Sequence, residues 1–154
     1  GIMTGSDALI YRLIFNLTEN AVKYNRDGGS VWVCVTQKTE KLLIRVSDTG
    51  CGIPEEYRRS IFQPFFRVDK SRSREYGGVG LGLSLVWEIT NLHGGCVRVE
   101  ESSDKGTTIA VELPAGAETE SSGADNHNDP WLFHGGHGNG SAVPRFLWYI
   151  HPVS

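Results

Sequence analysis

Four polar residues near the start of the chain have the types and spacing needed to bind a metal-bound anion. They are Asn16, Asn20, Lys23 and Tyr24, and steps of three and four residues place them on one face of a helix. This face meets the edge of an apolar stripe, so we expect the amides to be partly buried and to need partners. Magnesium is a suitable partner because it takes oxygen ligands and keeps positions for water and phosphate. Two ordinary helix-surface or capping asparagines remain the alternative for this pair alone.

A carboxylate and two glycines follow a predicted strand directly, in the segment D-T-G-C-G-I-P at residues 48–54. Gly50 and Gly52 allow a backbone to approach a ligand closely. Asp48, at the end of the strand, can accept a hydrogen bond from an exocyclic amine. Taken alone, the segment is also consistent with a tight turn that leads into a helix.

A glycine-rich run at residues 77–83 stands immediately before a predicted helix. Free N–H groups and the dipole at a helix N-terminus bind phosphate, and glycines let the phosphate come close. No Gly-Lys-Ser/Thr follows the run and no strand directly precedes it, so neither a P-loop nor a dinucleotide fingerprint fits. A flexible linker is the alternative interpretation.

The elements that would position these residues follow from the apolar periodicity. Helices are predicted at 7–25, 54–62 and 81–92, strands at 30–37, 41–48, 96–101 and 107–113, and a loop at 66–80. This order predicts an α/β two-layer sandwich with the helices on one face of the sheet. The stripes include Leu92, and Cys34 and Cys96 are expected to be small buried hydrophobes.

Composition divides the chain into three parts and excludes several classes of protein. Residues 1–6 are interpreted as a remnant or fragment start, 7–114 as one domain, and 115–154 as a low-complexity tail without regular structure. The net charge of -3 argues against a nucleic-acid binder. Three widely spaced cysteines favour a reducing compartment, and no long apolar run or secretory signal is apparent, so we expect this segment to be cytoplasmic and not itself inserted in a membrane.

In order and spacing, the three motifs resemble the nucleotide-binding boxes of the GHKL ATPase superfamily, and within it those of sensor histidine kinases. Residues 15–24 resemble the N box, 48–54 the first glycine box, 61–69 the F box, 78–83 the second glycine box and 106–108 the short third one. The resemblance covers roughly residues 7–114. It implies a Bergerat fold, with helices on one face of a mixed, mostly antiparallel sheet.

The resemblance also implies that the chain binds ATP and Mg²⁺. Asn16 and Asn20 would hold the metal and the phosphates, and Asp48 would bind the adenine amine with support from Thr107 or Thr108. Residues 66–80 would form a lid over the nucleotide. The implied catalytic residues are Asn16, Asn20, Lys23 and Arg67, and the implied cofactor-binding residues are Asn16, Asn20, Lys23, Tyr24, Asp48, Gly50, Gly52, Ile53, Phe62, Phe65, Arg67, Gly78, Gly80, Leu81, Gly82, Leu83, Thr107 and Thr108.

One position separates the possible reactions. ATP-hydrolysing relatives carry a water-activating glutamate where this chain has Asn16, and Glu19 is expected on a different face of the helix. Transfer to an imidazole is therefore favoured over hydrolysis, because a neutral imidazole is itself a nucleophile. The acceptor histidine is expected on a separate dimerisation domain, with a response regulator downstream. A GHKL-type ATPase, a serine-directed anti-sigma-type kinase and a non-catalytic nucleotide-binding module are the alternatives.

The resemblance raises one structural expectation besides. The family domain usually begins with a strand before residue 7, and no such strand is apparent here. We therefore expect one edge of the sheet to be unpaired.

Overall fold

The computed structural model describes residues 7–38, 40–68, 81–115 and 145–150 of the chain. Its helices are α1 (Asp7–Lys23) and α2 (Gly82–Leu92), and its strands are β1 (Val31–Lys38), β2 (Lys41–Asp48), β3 (Cys96–Ser103), β4 (Gly106–Pro114) and β5 (Arg145–Ile150). The strands form one sheet in the order β3-β4-β2-β1-β5, and every pairing between described strands is antiparallel. The predicted two-layer sandwich is confirmed, although these strands form an antiparallel sheet and not a mixed one.

The core lies between the two helices and one face of the sheet. Leu13, Leu17 and Ala21 recur every four residues along α1, and all three are buried. Val86 and Ile89 of α2 join them. Alternate strand residues complete the same cluster, as expected for side chains that share one face: Val31, Val33, Ile44, Val46, Ile109, Val111 and Leu113.

The predicted helix at 54–62 is wrong in type. Two short 3₁₀ turns, Glu55–Tyr57 and Ser60–Phe62, occupy this segment, with Pro54 at the N-cap of the first. Ile61 is the buried residue of the two turns. A segment with so little apolar surface on one side lacks the packing that maintains a longer helix.

Two residues expected in the core lie at the surface. Leu92 is 76% exposed in the last turn of α2, where the chain turns away through Gly94 and Gly95. Cys96 is exposed at the start of β3, an edge strand of the described sheet, whereas Cys34 on β1 is half-buried. Apolar periodicity predicts which residues share a face of an element. It does not show where that element extends beyond the rest of the core, so that an apolar residue at its end is exposed.

The face of the sheet that is opposite the helices carries ion pairs. The Arg45 guanidinium lies 2.6 Å from the Glu100 carboxylate. The Glu112 carboxylate forms ion pairs with Lys41 at 3.2 Å and with Arg98 at 3.0 Å. Hydrogen bonds from Arg45 and Arg98 lower the pKa of Glu100 and of Glu112, respectively. These pairs are accessible to solvent, so their contribution to stability is small.

Strand β5 occupies the outer edge of β1, from Val31 opposite Ile150 to Thr36 opposite Arg145. The edge of β1 is therefore paired, which differs from the expected open edge. Residues 145–150 form a strand, whereas the extent of the tail stays a prediction. The free N–H and C=O groups of an edge strand accept any suitable strand, and residues 145–150 are rich in aromatic residues that favour strands. Residues 116–144 and 151–154 lie outside the described part of the chain.

Candidate nucleotide-binding site

A cavity of about 840 Å³ opens between α1, the loop after β2, and the start of α2. Its size is typical of small-molecule and cofactor sites. Every motif singled out in the sequence contributes to its lining through the residues that the structure describes: Asn16, Glu19, Asn20, Lys23, Tyr24, Asn25, Arg26, Asp48, Gly50, Cys51, Gly52, Ile53, Pro54, Ile61, Phe66, Arg67, Val68, Leu81, Gly82, Leu83, Asp104, Thr107 and Ile109.

The polar face of α1 forms one wall of this cavity. Asn16 and Asn20 are half-buried there, as their position at the edge of the apolar stripe predicted. The Asn16 amide nitrogen donates to the Arg12 carbonyl at 2.8 Å, which leaves Oδ1 as its ligand atom. Within the described residues, the Asn20 amide makes no hydrogen bond of its own. Among the described residues, the side-chain oxygens of Asn16 and Asn20 on this wall therefore have no hydrogen-bond partner.

Lys23, the last residue of α1, and Tyr24, which follows it, extend the same wall. The Lys23 ammonium lies 5.5 Å from the centre of the Tyr24 ring, and Tyr24 is 45% exposed. This arrangement brings a cation and an aromatic face to the rim of the cavity.

Asp48 is the half-buried carboxylate of the opposite wall. Its Oδ1 accepts hydrogen bonds from the backbone N–H of Gly50 at 2.8 Å and of Thr107 at 3.2 Å. Burial raises the pKa of Asp48 above its ordinary value, and these two hydrogen bonds lower it in part. Among the described residues, Oδ2 has no such partner and is available to a donor in the cavity.

Two glycines with positive φ allow the backbone to close around Asp48. Gly52 has φ of 78°, and a β-carbon there would meet the Ser103 carbonyl oxygen at 2.0 Å. Gly106 has φ of 143°, and a β-carbon there would meet the Asp48 carbonyl oxygen at 1.8 Å. Glycine is therefore required at both positions, by conformation and by space.

A chain of hydrogen bonds connects this loop to the β3–β4 turn. The Ile53 N–H donates to Ser102 Oγ at 2.7 Å, and Ser102 Oγ lies 2.8 Å from Thr107 Oγ1. Since the Thr107 N–H bonds to Asp48, the adenine-binding residue predicted from sequence is held from both sides. Of the two threonines proposed to support Asp48, Thr107 does so. Thr108 bonds to Ser47 at 2.8 Å and does not line the cavity.

The N-terminus of α2 contributes the third wall. Leu81, Gly82 and Leu83 line the cavity, and the Asn16 amide oxygen lies 3.4 Å from where a β-carbon of Gly82 would stand. The first N–H groups of α2 thus open close to the asparagine wall. Gly78 and Gly80 lie outside the described residues, as do positions 69–80 of the predicted lid.

The aromatic residues differ from the prediction. Phe62 and Phe65 are not among the residues that line this cavity, whereas Ile61 and Phe66 are. Phe65 is 71% exposed, and Phe62 packs against the core. The F-box pattern identifies the right segment. Which aromatic ring faces the cavity depends on the irregular backbone after the second 3₁₀ turn, where Phe65 has a φ of 62°, and the sequence pattern does not indicate this conformation.

Glu19 also departs from its predicted position, because it lines the cavity. Residues 16, 19, 20 and 23 are three or four apart, so the same helical geometry that groups the asparagines includes Glu19. Its side chain is exposed. Asn25 and Arg26 are further lining residues that the sequence reasoning did not assign.

Comparisons with known proteins agree with this site. Residues 5–117 match the family described as "Histidine kinase-, DNA gyrase B-, and HSP90-like ATPase", and the chain belongs to that family. The expected superfamily is thereby confirmed. Within the described residues no group of histidine, cysteine and carboxylate side chains could hold a metal ion, and no helix is long and apolar enough to cross a membrane.

The relatives include proteins named as sensor histidine kinases. The sensor histidine kinase RppB of Synechocystis is 40% identical over 110 residues, which cover 71% of this chain and 24% of RppB. The chain therefore spans about a quarter of that relative. The mycobacterial sensor histidine kinase MprB superposes with a TM-score of 0.66 at 31% identity, covering 75% of this chain and 78% of the MprB chain. Full-length ShkA in complex with AMPPNP gives a TM-score of 0.59 at 27% identity, covering 71% of this chain and 22% of ShkA.

Proposed function

We propose that this chain is the ATP-binding catalytic domain of a sensor histidine kinase. It binds Mg-ATP and transfers the γ-phosphoryl group to a histidine on a separate dimerisation domain, from which a response regulator is phosphorylated. The observation that carries this proposal is the convergence of Asn16, Asn20, Asp48 and the start of α2 on one cavity. Amide oxygens, a half-buried carboxylate and helix N–H groups are the partners that a metal-bound adenine nucleotide requires.

The adenine belongs at the Asp48 end of the cavity. The carboxylate is fixed by two backbone hydrogen bonds and has Oδ2 available for the exocyclic amine. Ile53 and Ile109 line the cavity and supply apolar surface for the ring. The bound AMPPNP of ShkA supports a nucleotide as the ligand class.

The triphosphate belongs at the other end, between α1 and the start of α2. Lys23 and Arg67 both line the cavity and bring positive charge to it. The N–H groups at the start of α2 add donors with the polarity that favours phosphate. Gly78 and Gly80 are proposed to extend this phosphate site.

The asparagines fit a magnesium ion. Asn16 Oδ1 remains available because its nitrogen bonds to Arg12, and Asn20 has no hydrogen-bond partner among the described residues. Amide oxygens together with phosphate oxygens and water suit this hard cation. The ion would neutralise charge on the phosphates, and Asn16 and Asn20 would hold it.

Phosphoryl transfer then depends on positioning and charge neutralisation. A nitrogen of the incoming imidazole forms a bond to the γ-phosphorus as the bond to the β,γ-bridging oxygen breaks, so ADP leaves and the imidazole releases its proton. Lys23 and Arg67 are proposed to stabilise the charge on the transferred group. No residue of this chain is required as the nucleophile.

Hydrolysis is a second candidate because Glu19 lines the cavity. A carboxylate near the γ-phosphate could accept a proton from attacking water. Its exposed position argues for a weaker effect than a buried base would have. Glu19→Gln should leave transfer to histidine intact but lower any phosphate release if hydrolysis occurs.

The deciding experiment mixes this chain with radiolabelled Mg-ATP and a dimeric histidine hairpin from a related kinase. We expect label on the hairpin that is stable in base and lost in acid, as phosphohistidine is. Release of inorganic phosphate without labelling would support the ATPase, and nucleotide binding without either reaction would support a non-catalytic module.

A further inference from the structure

Two arginines outside the nucleotide motifs hold the loop that forms the adenine end of the cavity. We propose that Arg26 and Arg58, here named the arginine clamp, are positioning residues that fix residues 49–53 in the shape needed to receive adenine. This inference rests on the proposed nucleotide binding. It adds residues to which neither the sequence motifs nor the family resemblance assigned a role.

Arg26 joins three parts of the chain. It follows the end of α1, and its guanidinium donates to the carbonyl of Thr49, to that of Gly50 at 3.3 Å and to that of Asp104 at 3.1 Å. The first two carbonyls belong to the loop after β2, and the third belongs to the β3–β4 turn. One side chain therefore ties α1, the loop and the turn together beside the cavity.

Arg58 holds the far end of the same loop. It lies between the two 3₁₀ turns and donates to the carbonyl of Ile53 at 3.3 Å and to that of Ser102 at 2.9 Å. Ser102 is the residue whose hydroxyl receives the Ile53 N–H. The clamp thus binds both ends of residues 49–53. Arg26 connects the first end to the β3–β4 turn, and Arg58 connects the second end to β3.

Arginine suits this task for a physical reason. The carbonyls of Thr49, Gly50 and Ile53 lie beyond the end of β2, so they are not part of its strand pairing and need other donors. A guanidinium carries five N–H donors in a rigid fork and can bind several carbonyls at once, whereas a lysine ammonium is a point charge on a flexible stem. A lysine in place of either arginine keeps the positive charge but lacks the several fixed donors. We therefore expect it not to preserve the conformation of residues 49–53.

The clamp acts on Asp48 through Gly50. The Gly50 N–H bonds to Asp48 Oδ1 at 2.8 Å, while the Gly50 carbonyl bonds to Arg26. Both sides of this glycine are therefore fixed, one by the clamp and one by the carboxylate. Releasing the carbonyl should loosen the N–H that favours the ionised form of Asp48.

The test uses the full chain with Arg26→Ala and Arg26→Lys, and Arg45→Ala as a matched control on the opposite face of the sheet. Affinities for ATP and for adenosine are measured by calorimetry and by competition. We expect Arg26→Ala to weaken both ligands by the same factor, about tenfold, which corresponds to loss of charge-assisted hydrogen bonds. Arg26→Lys should not restore affinity, and Arg45→Ala should leave it unchanged. Arg58→Ala should show the same pattern as Arg26→Ala.

A pH profile separates positioning from general destabilisation. Without the clamp, the acid-side loss of ATP binding should move to higher pH, because Asp48 loses part of the hydrogen bonding that favours its charge. Arg45→Ala should not move it. Weaker binding of ATP but not adenosine, with recovery in Arg26→Lys, would show that Arg26 serves as a phosphate-binding charge and would overturn the proposal, as would unchanged affinities in Arg26→Ala.

Amide hydrogen exchange tests the clamp without a ligand, so it does not depend on the proposed nucleotide binding. In the ligand-free chain, the amides of residues 49–51 should exchange faster in Arg26→Ala than in wild type, while those of the core strands keep their rates. Equal rates at residues 49–51 would refute the clamp. Failure of wild type to bind either ATP or adenosine would refute the proposed function without affecting this measurement.

Discussion

The two ends of the cavity are organised in different ways. At the adenine end, Asp48 and the loop after it are held by backbone N–H groups, by Ser102 and by the arginine clamp. At the phosphate end, Asn20 has no hydrogen-bond partner among the described residues, and the Asn16 amide uses only its nitrogen. Within the described residues, folding therefore fixes the end of the cavity that we propose for adenine, whereas the amide oxygens at the proposed phosphate end are without hydrogen-bond partners and suit a metal and its phosphates. A site built this way recognises the base with little reorganisation and can rearrange around the reacting group.

Asp48→Ala is the strongest way to break the adenine end. It removes the proposed acceptor for the exocyclic amine and leaves the N–H groups of Gly50 and Thr107 without their partner. Because both losses act on the same side of the ligand, we expect ATP affinity to fall about a hundredfold or more. Calorimetry measures this, with Glu100→Ala on the opposite face as control. Retained micromolar affinity would refute the adenine assignment.

Asn20→Asp tests the phosphate end. The new carboxylate stands where the phosphates are expected, so we expect Mg-ATP to bind roughly tenfold more weakly and with an altered dependence on magnesium concentration. Asn91→Asp, at an exposed position near the end of α2, is the matched control. An unchanged magnesium dependence in Asn20→Asp would count against the metal site.

Acid pH should weaken ATP binding through its effect on Asp48, at the proposed adenine end of the cavity. Ionised Asp48 is the acceptor, and burial raises its pKa, so it gains its proton at a higher pH than an ordinary carboxyl group as the pH falls. ATP affinity should therefore decline on acidification before most surface carboxylates titrate. Asp48→Asn, which does not titrate, gives the pH dependence that belongs to the nucleotide itself. Identical pH profiles for both proteins would contradict this linkage.

Removal of residues 116–154 should have the smallest effect on binding. None of the tail residues that the structure describes lines the cavity, so ATP affinity should stay within about twofold. The melting temperature should nevertheless drop by several degrees, because β1 loses one of its two partner strands, β5, and keeps only β2. A large loss of affinity at a temperature where the domain is folded would show that the tail belongs to the site.

The sequence predicts the parts that local patterns encode. The helical spacing of Leu13 and Leu17 identifies α1, and alternation in β1 and β2 identifies the strands that carry Asp48 to the cavity. Residues grouped by one element, such as Asn16 and Asn20, are therefore found correctly. Glu19 shows that the same spacing rule has to be applied to every residue of the face.

Contacts between distant parts of the chain have no such pattern. The bond from Arg26 to Asp104 joins residues that only the folded sheet brings together, so nothing near Arg26 in the sequence indicates it. The exposure of Leu92 depends on where α2 passes the edge of the sheet. The pairing of β5 depends equally on the edge that β1 offers, which the tail sequence alone cannot show.

The placement of β5 has a consequence for how the protein is made. Every described cavity residue lies in residues 16–109, whereas β5 comes from residues 145–150, and pairing to β1 must close a loop over most of the chain. During synthesis the nucleotide site can therefore assemble while the C-terminal segment is still in the ribosome. Addition of β5 is then expected to follow the assembly of the cavity, because its pairing with β1 spans the longest separation in the described sheet.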